Sequence, residues 1–257
     1  MFSDLFSHLK GHFHLECLDK DDKVIDVYDE HNMIMTNARK SMSEIFANLS
    51  GIKFAHKLIL GTMGCKDGNI FAPKDDTDGF VKSRDRLFSV PSSTIHNAGD
   101  MLPNILKGDI VTLQGTKEGE HDYYEYRGND ETNFVLSDEV LASDKFKKLD
   151  GKPYTYEVDF ELPRFNTETP STLYNTNKDS LDQIGVVQKD TSVIFTFIID
   201  MESANGQYVD DPKYPDPCSV FNEACIVVND RIFCMKTFNS KIKDDSVKLK
   251  IQWTITF

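Results

Sequence analysis

The sequence predicts a mainly β protein: an antiparallel β-sandwich with an N-terminal amphipathic helix and long irregular central loops. Three observations lead there. Val247, Leu249, Ile251, Trp253, Ile255 and Phe257 alternate without a break with Lys248, Lys250, Gln252, Thr254 and Thr256, the period-two pattern of a strand with one buried face. Tyr154, Tyr156, Val158, Phe160 and Leu162 alternate in the same way with Thr155, Glu157, Asp159 and Glu161. Strand-like apolar segments occur towards both ends, the most irregular sequence lies between them, and no heptad or internal repeat is present. The expected organisation is one β-rich domain over residues 1–257 assembled from both termini, with 62–190 as inserted loops or a subdomain. The last strand carries the only Trp and includes the final residue on its apolar face, so the chain is expected to end inside its core.

In order, Ser3 to Lys10 reads as a short amphipathic helix with Leu5, Phe6 and Leu9 on one side, ended by Gly11. Phe13, Leu15 and Cys17 alternate with His12, His14 and Glu16, and Ile25 and Val27 return after the turn Lys20-Asp21-Asp22, which makes a hairpin. Asn37 to Leu49 is the clearest helix. Thr36 or Asn37 can cap it, Ala38, Met42, Ile45, Phe46 and Leu49 recur at three- and four-residue steps, and Gly51 is placed to end it. Phe54 to Leu60 forms a strand leading into the turn Gly61-Thr62-Met63-Gly64. Segments around Ile110–Leu113 and Tyr123–Tyr126 are strand-like, and Ser137 can cap a helix over Asp138 to Leu149. Asn166 to Asp190 is a long polar loop. Val193 to Ile199, apolar on both faces except Thr196, suits a central strand. Ala204 to Pro217 is a proline-bearing loop, and Cys225–Val228, Ile232–Thr237 and Val247–Phe257 are closing strands joined by turns at Asn229-Asp230 and Asn239-Ser240. The predicted core includes Phe46, Phe195, Phe197, Trp253 and Phe257.

Composition bounds the function. The chain has 257 residues, is 39% hydrophobic and 28% charged, and carries a net charge of −13. That balance argues against a direct nucleic-acid binder, because phosphate neutralisation needs clustered Lys and Arg. No apolar run is long enough to span a membrane, and Met1 to Leu9 lacks the pattern of a signal peptide. The five cysteines, Cys17, Cys65, Cys218, Cys225 and Cys234, have irregular spacing and no C-x-x-C, so neither a disulfide framework nor a zinc ribbon is expected. Synthesis in a reducing cytoplasm fits them.

The candidate chemistry is thin. His12, His14 and Glu16 share one strand face and could contribute to a divalent-metal site, but no fourth ligand is visible, and an exposed polar face is the simpler reading. Gly61 to Gly68 is glycine-rich but lacks the Gly-Lys-Ser/Thr of a phosphate loop. Asp75, Asp76 and Asp78, and Asp210 and Asp211, do not match calcium-loop spacing. Glu157, Asp159 and Glu161 form a carboxylate row whose alternation with core residues indicates a solvent face rather than a glycosidase pair. With no G-x-S-x-G, no H-E-x-x-H and no Cys–His nucleophile context, the chain is read as a non-enzyme with no cofactor and no metal. Eighteen Phe and nine Tyr mainly supply core area. Tyr123, Tyr124 and Tyr126 cannot all face one core, which marks them as interface candidates.

Two segments carry a resemblance. Asp29-Glu30-His31-Asn32-Met33-Ile34-Met35-Thr36-Asn37-Ala38-Arg39-Lys40, with the helix after it and Leu58-Ile59-Leu60-Gly61, resembles the N-terminal part of several tailed-bacteriophage virion proteins. Phe221-Asn222-Glu223-Ala224, Asn229 to Phe238 and Lys248 to Phe257 resemble the ending common in phage tail, neck and baseplate components, with Cys225-Ile226 where that pattern usually has Gly-Leu. Residues 62–190 show no such likeness. The resemblance implies a virion structural protein, a multi-copy adaptor or collar subunit of the neck, tail or baseplate. It would bind other virion structural proteins and form a homo-oligomer in a symmetric ring or fibre junction. Phe2, Leu5, Phe6 and Leu9, together with the loops around Asp75 and Pro212, are the expected contact elements. The alternatives are a receptor- or carbohydrate-binding module of the tail using Tyr123–Tyr126, a capsid decoration protein, or a hydrolase using Glu157–Glu161.

Overall fold

The computed structural model describes residues 9–48, 50–66, 71–74, 84–90, 95–114, 121–149, 153–161, 181–209, 211–214 and 216–257, and the backbone of 174–175. In chain order the elements are β1 (Lys10–Leu18), β2 (Val24–Ile34), α1 (Thr36–Phe46), β3 (Ala55–Gly61), β4 (Ile95–His96), β5 (Met101–Ile105), β6 (Ile110–Gln114), β7 (His121–Tyr126) and β8 (Glu131–Val135). They continue with α2 (Asp138–Leu141), β9 (Phe146–Lys148), β10 (Thr155–Asp159), β11 (Tyr174–Asn175), β12 (Gln183–Lys189), β13 (Ser192–Ile199), β14 (Ser219–Val228), β15 (Arg231–Lys243) and β16 (Lys248–Thr256). The fold is mainly β, and the chain divides into two compact units, residues 1–87 with 155–257, and residues 88–154.

The larger unit holds a sheet of ten strands in the order β10-β3-β14-β15-β2-β1-β16-β13-β12-β11. Every described ladder in it is antiparallel. Alternation in the sequence becomes alternation of burial: Phe13 and Leu15 of β1 and Leu249, Ile251 and Trp253 of β16 are fully buried, with polar residues between them on the other face. The β1–β2 turn is built by Asp19, whose Oδ1 accepts the N–H groups of Asp21 (2.9 Å) and Lys23 (3.0 Å). The sheet is curled. Phe160, just past β10, packs its ring on Phe195 and Phe197 of β13 at centroid separations of 6.2 and 5.5 Å, although β13 lies seven places from β10 in the strand order. Inside the curl Phe13 stacks on Phe238 at 5.4 Å and meets Trp253 edge-on at 4.8 Å.

Helix α1 buries Ala38 and Ser41 and is pinned to the β14–β15 turn by Glu44, which accepts from Asn229 Nδ2 (2.5 Å) and Arg231 Nη1 (2.6 Å). It departs from expectation at both ends. Met35 occupies the N-cap position and makes no side-chain cap bond, so neither Thr36 nor Asn37 caps it, and the helix stops at Phe46. Phe46 is 76% exposed rather than core. At about 100° per residue its side chain points roughly 110° away from the Ala38–Ser41 stripe. Phe257 is also not core, at 49% exposure. Strand β16 ends at Thr256, the last residue paired with Lys10 and Ser192, so no neighbouring strand covers the next side chain.

The smaller unit has a four-stranded sheet, β4-β6-β7-β9, and a two-stranded one, β5-β8. Among its described ladders only the short β4–β6 one is parallel. Ser137 caps α2 by accepting Val140 N–H, but the helix ends at Leu141, and Phe146–Lys148, expected to be helical, pair with β7 as β9. The core of this unit is centred on Tyr126, whose ring meets Phe146 at 5.1 Å and Phe134 at 5.4 Å.

Candidate functional site: a lysine-walled pocket beside β2 and β15

The site begins with a short ladder. β15 pairs with β2 through Cys234–Ile34 and Met235–Met33, and a bond from Met35 N–H to Phe233 O (2.9 Å) extends the join by one residue. Beyond these residues side chains join the two strands. Lys236 Nζ donates to Glu30 Oε2 (2.7 Å), Tyr28 Oη donates to the same oxygen (2.8 Å), and Lys241 Nζ donates to Asp26 Oδ2 (2.5 Å). Lys236 also lies 5.6 Å from the centre of the Tyr28 ring. The Lys236 ammonium beside Glu30 holds that carboxyl below the usual carboxylate range, while burial, reinforced by Glu30, pushes the Tyr28 hydroxyl well above its ordinary value.

A loop from β3 forms the other wall. The register of β14 against β15 shifts between Phe221 and Glu223, which leaves Asn222 to serve as a bracket. Its Oδ1 accepts Gly64 N–H at 2.6 Å and its Nδ2 donates to Ser240 Oγ at 3.2 Å. Glu223, fully buried, accepts Met63 N–H at 3.4 Å. A Cβ at position 64 would sit 2.4 Å from the Asn222 carbonyl oxygen, so only glycine allows this approach. Gly64 O then accepts Lys74 N–H, and Ala72 O accepts Lys66 N–H, both at 2.7 Å. Thr237 Oγ1 donates to Lys74 O and ties the loop to β15.

Between these walls is a cavity of about 440 Å³ lined by Tyr28, Glu30, Lys66, Lys74, Lys236, Thr237 and neighbouring residues. Among its described lining residues three side chains are cationic and one is anionic. Lys74 is itself buried. Lys236 is paired with Glu30, and Lys66 and Lys74 have interactions of their own, so the walls are tied into a polar network.

The residues singled out from sequence fall elsewhere. Phe2, Leu5 and Phe6 and the loop around Asp75 lie outside the described residues, and Leu9 is half-buried. Tyr123 and Tyr124 are half-buried on β7, whereas Tyr126 is completely buried and is not an interface residue. Its hydroxyl donates to Asn129 O and Glu131 Oε1 inside its own unit. His12, His14 and Glu16 do share a face, but their partners are Asp29 and Lys250. Asp29 takes His12 Nε2 at 2.6 Å and His14 Nδ1 at 2.8 Å, and Glu16 accepts from Lys250 at 2.7 Å. Among the described residues no group of three or more His, Cys, Asp or Glu is arranged to hold a metal. Glu157 and Asp159 both face the ammonium of Lys57, with Asp159 at 3.4 Å, so this part of the row is an ion-paired strand face.

Sequence reading missed the pocket because its lysines are scattered over 170 positions (Lys66 to Lys236). The accessible signal was the pair Gly64 and Asn222, a tight turn and a bracket for it. No family model matches the chain, and neither the curated proteins nor the solved structures give a match. Geometry and sequence resemblance carry the functional reading.

Proposed function

We propose that the protein is a structural component of a bacteriophage virion, a multi-copy adaptor or collar subunit of the neck, tail or baseplate that binds neighbouring virion proteins. The observation that supports this most is where the two resembling segments lie. Separated by most of the chain, they supply parts of β3, β14, β15 and β2, four neighbours in the sheet order, and β16, two places beyond β2. The likeness therefore falls on strands of one sheet rather than on two unrelated pieces. A second support is the surface of the same sheet. Val24, Ile25 and Val27 of β2 and Ile242 of β15 are all exposed, Ile25 by 56% and Ile242 by 54%, as suits strands covered in an assembly.

In this reading the protein is made in the host cytoplasm and ends in the virion. It acts by binding rather than catalysis, touches neither nucleic acid nor membrane directly, and forms a homo-oligomer in a symmetric ring or fibre junction. The two halves of the curled sheet, on either side of the β2–β15 join, serve as the two layers of a sandwich. The carbohydrate- or receptor-binding alternative loses its aromatic row with the burial of Tyr126.

Antibody-gold electron microscopy of purified particles from the source tests the proposal. Label at a fixed point on the neck, tail or baseplate is the expected result. Label on the head would place the protein as a capsid decoration instead. Unlabelled particles beside abundant protein in the infected lysate would overturn the virion role.

A further inference from the structure

Several lysines of this protein end on a carboxylate: Lys250 on Glu16, Lys248 on Asp22, Lys57 on Glu157 and Lys241 on Asp26. Lys243, the last residue of β15, does not. It is completely buried, and its Nζ donates to three carbonyl oxygens, Met201 O at 2.8 Å, Asn205 Oδ1 at 2.9 Å and Asp244 O at 2.8 Å. Two of these are main-chain groups. The third belongs to the carboxamide of Asn205, a carbon electrophile held beside an amine. We propose that Lys243 and Asn205 are the two halves of an internal isopeptide cross-link, formed by attack of the Lys243 amine on the Asn205 carboxamide. The inference does not depend on the virion reading.

The step balances without a further reagent. Neutral Lys243 Nζ forms a bond to Asn205 Cγ, the Cγ–Nδ2 bond breaks, one proton passes from Nζ to Nδ2, and ammonia leaves. Nothing is oxidised or reduced. The reactive form is the free amine, and desolvation is one way in which a protein makes a lysine nucleophilic. Burial lowers the Lys243 pKa from 10.5 to about 8, against the opposing charges of Asp244, Asp182, Asp200 and Asp245. A neutral amine is therefore abundant in mildly alkaline solution and present as a minor form at neutral pH. Until the bond forms, the group titrates as a free amine.

The two groups are also positioned. Asn205 is held on both sides, because its Oδ1 takes Lys243 and its Nδ2 donates to Met201 O at 2.7 Å. The residue before it, Ala204, is buried and has a φ of 63°, in the left-handed region that alanine seldom enters. Such strain persists where the surroundings over-determine it, and it gathers at working sites. Lys243 is placed by the ladder of β15 with β14, opposite Ser219. Groups fixed in contact react as though at very high concentration. Asn205 follows β13 and Lys243 ends β15, so the bond would staple one half of the curled sheet to the other. Closing a ring between residues 38 positions apart would restrict the unfolded chain as a disulfide does.

The test is intact-mass spectrometry of the full-length protein, as isolated and after incubation above pH 8, followed by tryptic mapping. The expected result is a mass short of the sequence by one ammonia, a branched peptide joining the Asn205 segment to the Lys243 segment, and loss of cleavage after Lys243. Lys243→Arg and Asn205→Ala should keep their full mass. Asn205 precedes Gly206, the one Asn-Gly step in the chain, and ring closure onto the Gly206 nitrogen would also expel ammonia. That route leaves cleavage after Lys243 intact and persists in Lys243→Arg. Finding it in place of the branched peptide would overturn the proposal, as would a parent that keeps its full mass above pH 8. If either variant fails to fold, the peptide map of the parent decides alone.

Discussion

Phe160 and Phe197 bring together two strands that stand seven places apart in one sheet, with their rings 5.5 Å from centre to centre. Both are buried, and the contact closes the curl. Phe160→Ala should cost about 3–5 kcal/mol, the range for removing a buried ring, read as a lower urea midpoint at unchanged slope. A loss below about 1 kcal/mol would show that the curl is held by other contacts.

Trp253 is completely buried against Phe13, yet its indole N–H finds no acceptor in its surroundings. Two substitutions should therefore diverge. Trp253→Ala removes the ring and should cost about 3–5 kcal/mol. Trp253→Phe keeps most of the ring and relieves an unpaired donor, so its cost should stay below roughly 1.5 kcal/mol. Equal losses in chemical denaturation would mean that the indole N–H is satisfied in solution.

Lys243 is buried and donates to Met201 O (2.8 Å), Asn205 Oδ1 (2.9 Å) and Asp244 O (2.8 Å). Burial pushes its pKa down from 10.5 to about 8, against the opposing pull of Asp244. Between those two values the unfolded chain holds the proton more tightly than the folded one, so this group makes stability rise as pH rises. The expected result is that the stability gap between the parent and Lys243→Met widens between pH 8 and 10.5. A gap that narrows over this window would show that the ammonium stays charged. Below it, the variant should still be less stable, because three acceptors lose their donor.

Asp29 receives both His14 and His12, and the bond from His14, followed by the charge of His12, holds its carboxyl below the ordinary value of 3.8. A depressed carboxyl stabilises above its unfolded pKa and loses that contribution as pH falls through the folded one. Asp29→Asn should be less stable than the parent at neutral pH, and the two should converge as acid is added. Acid titrations followed by circular dichroism would check this, and parallel curves that never converge would remove Asp29 from the account.

Much of the fold was legible in the sequence because burial on one sheet face writes itself as alternation. Residues 248–256 and strand β1 are clear examples. Phe46 and Phe257 were misread because periodicity reports which way a side chain points, not whether a neighbour arrives to cover it. Tyr126 was misread for a related reason. It ends a strand of half-buried residues, and its burial depends on Phe134 and Phe146 folding over it, with Gly128 leaving room for its hydroxyl. Of the pocket, only Gly64 and Asn222 left a sign in the sequence. It needs a shift of register at Asn222 and a loop anchored to β15, and neither leaves a periodic trace.

The two-residue ladder between β2 and β15 also has a mechanical meaning. It divides the ten strands into a leaf of six, β2 through β11, and a leaf of four, β10 through β15. A strand pair joined along its length resists being peeled apart by sharing load over many backbone bonds, whereas here the load falls on the main chain of Met33, Ile34 and Met35, a few ion pairs and the packing of Phe238 against Phe13 and Tyr28. The sheet has a crease, and a pulling force across the molecule would open it there first.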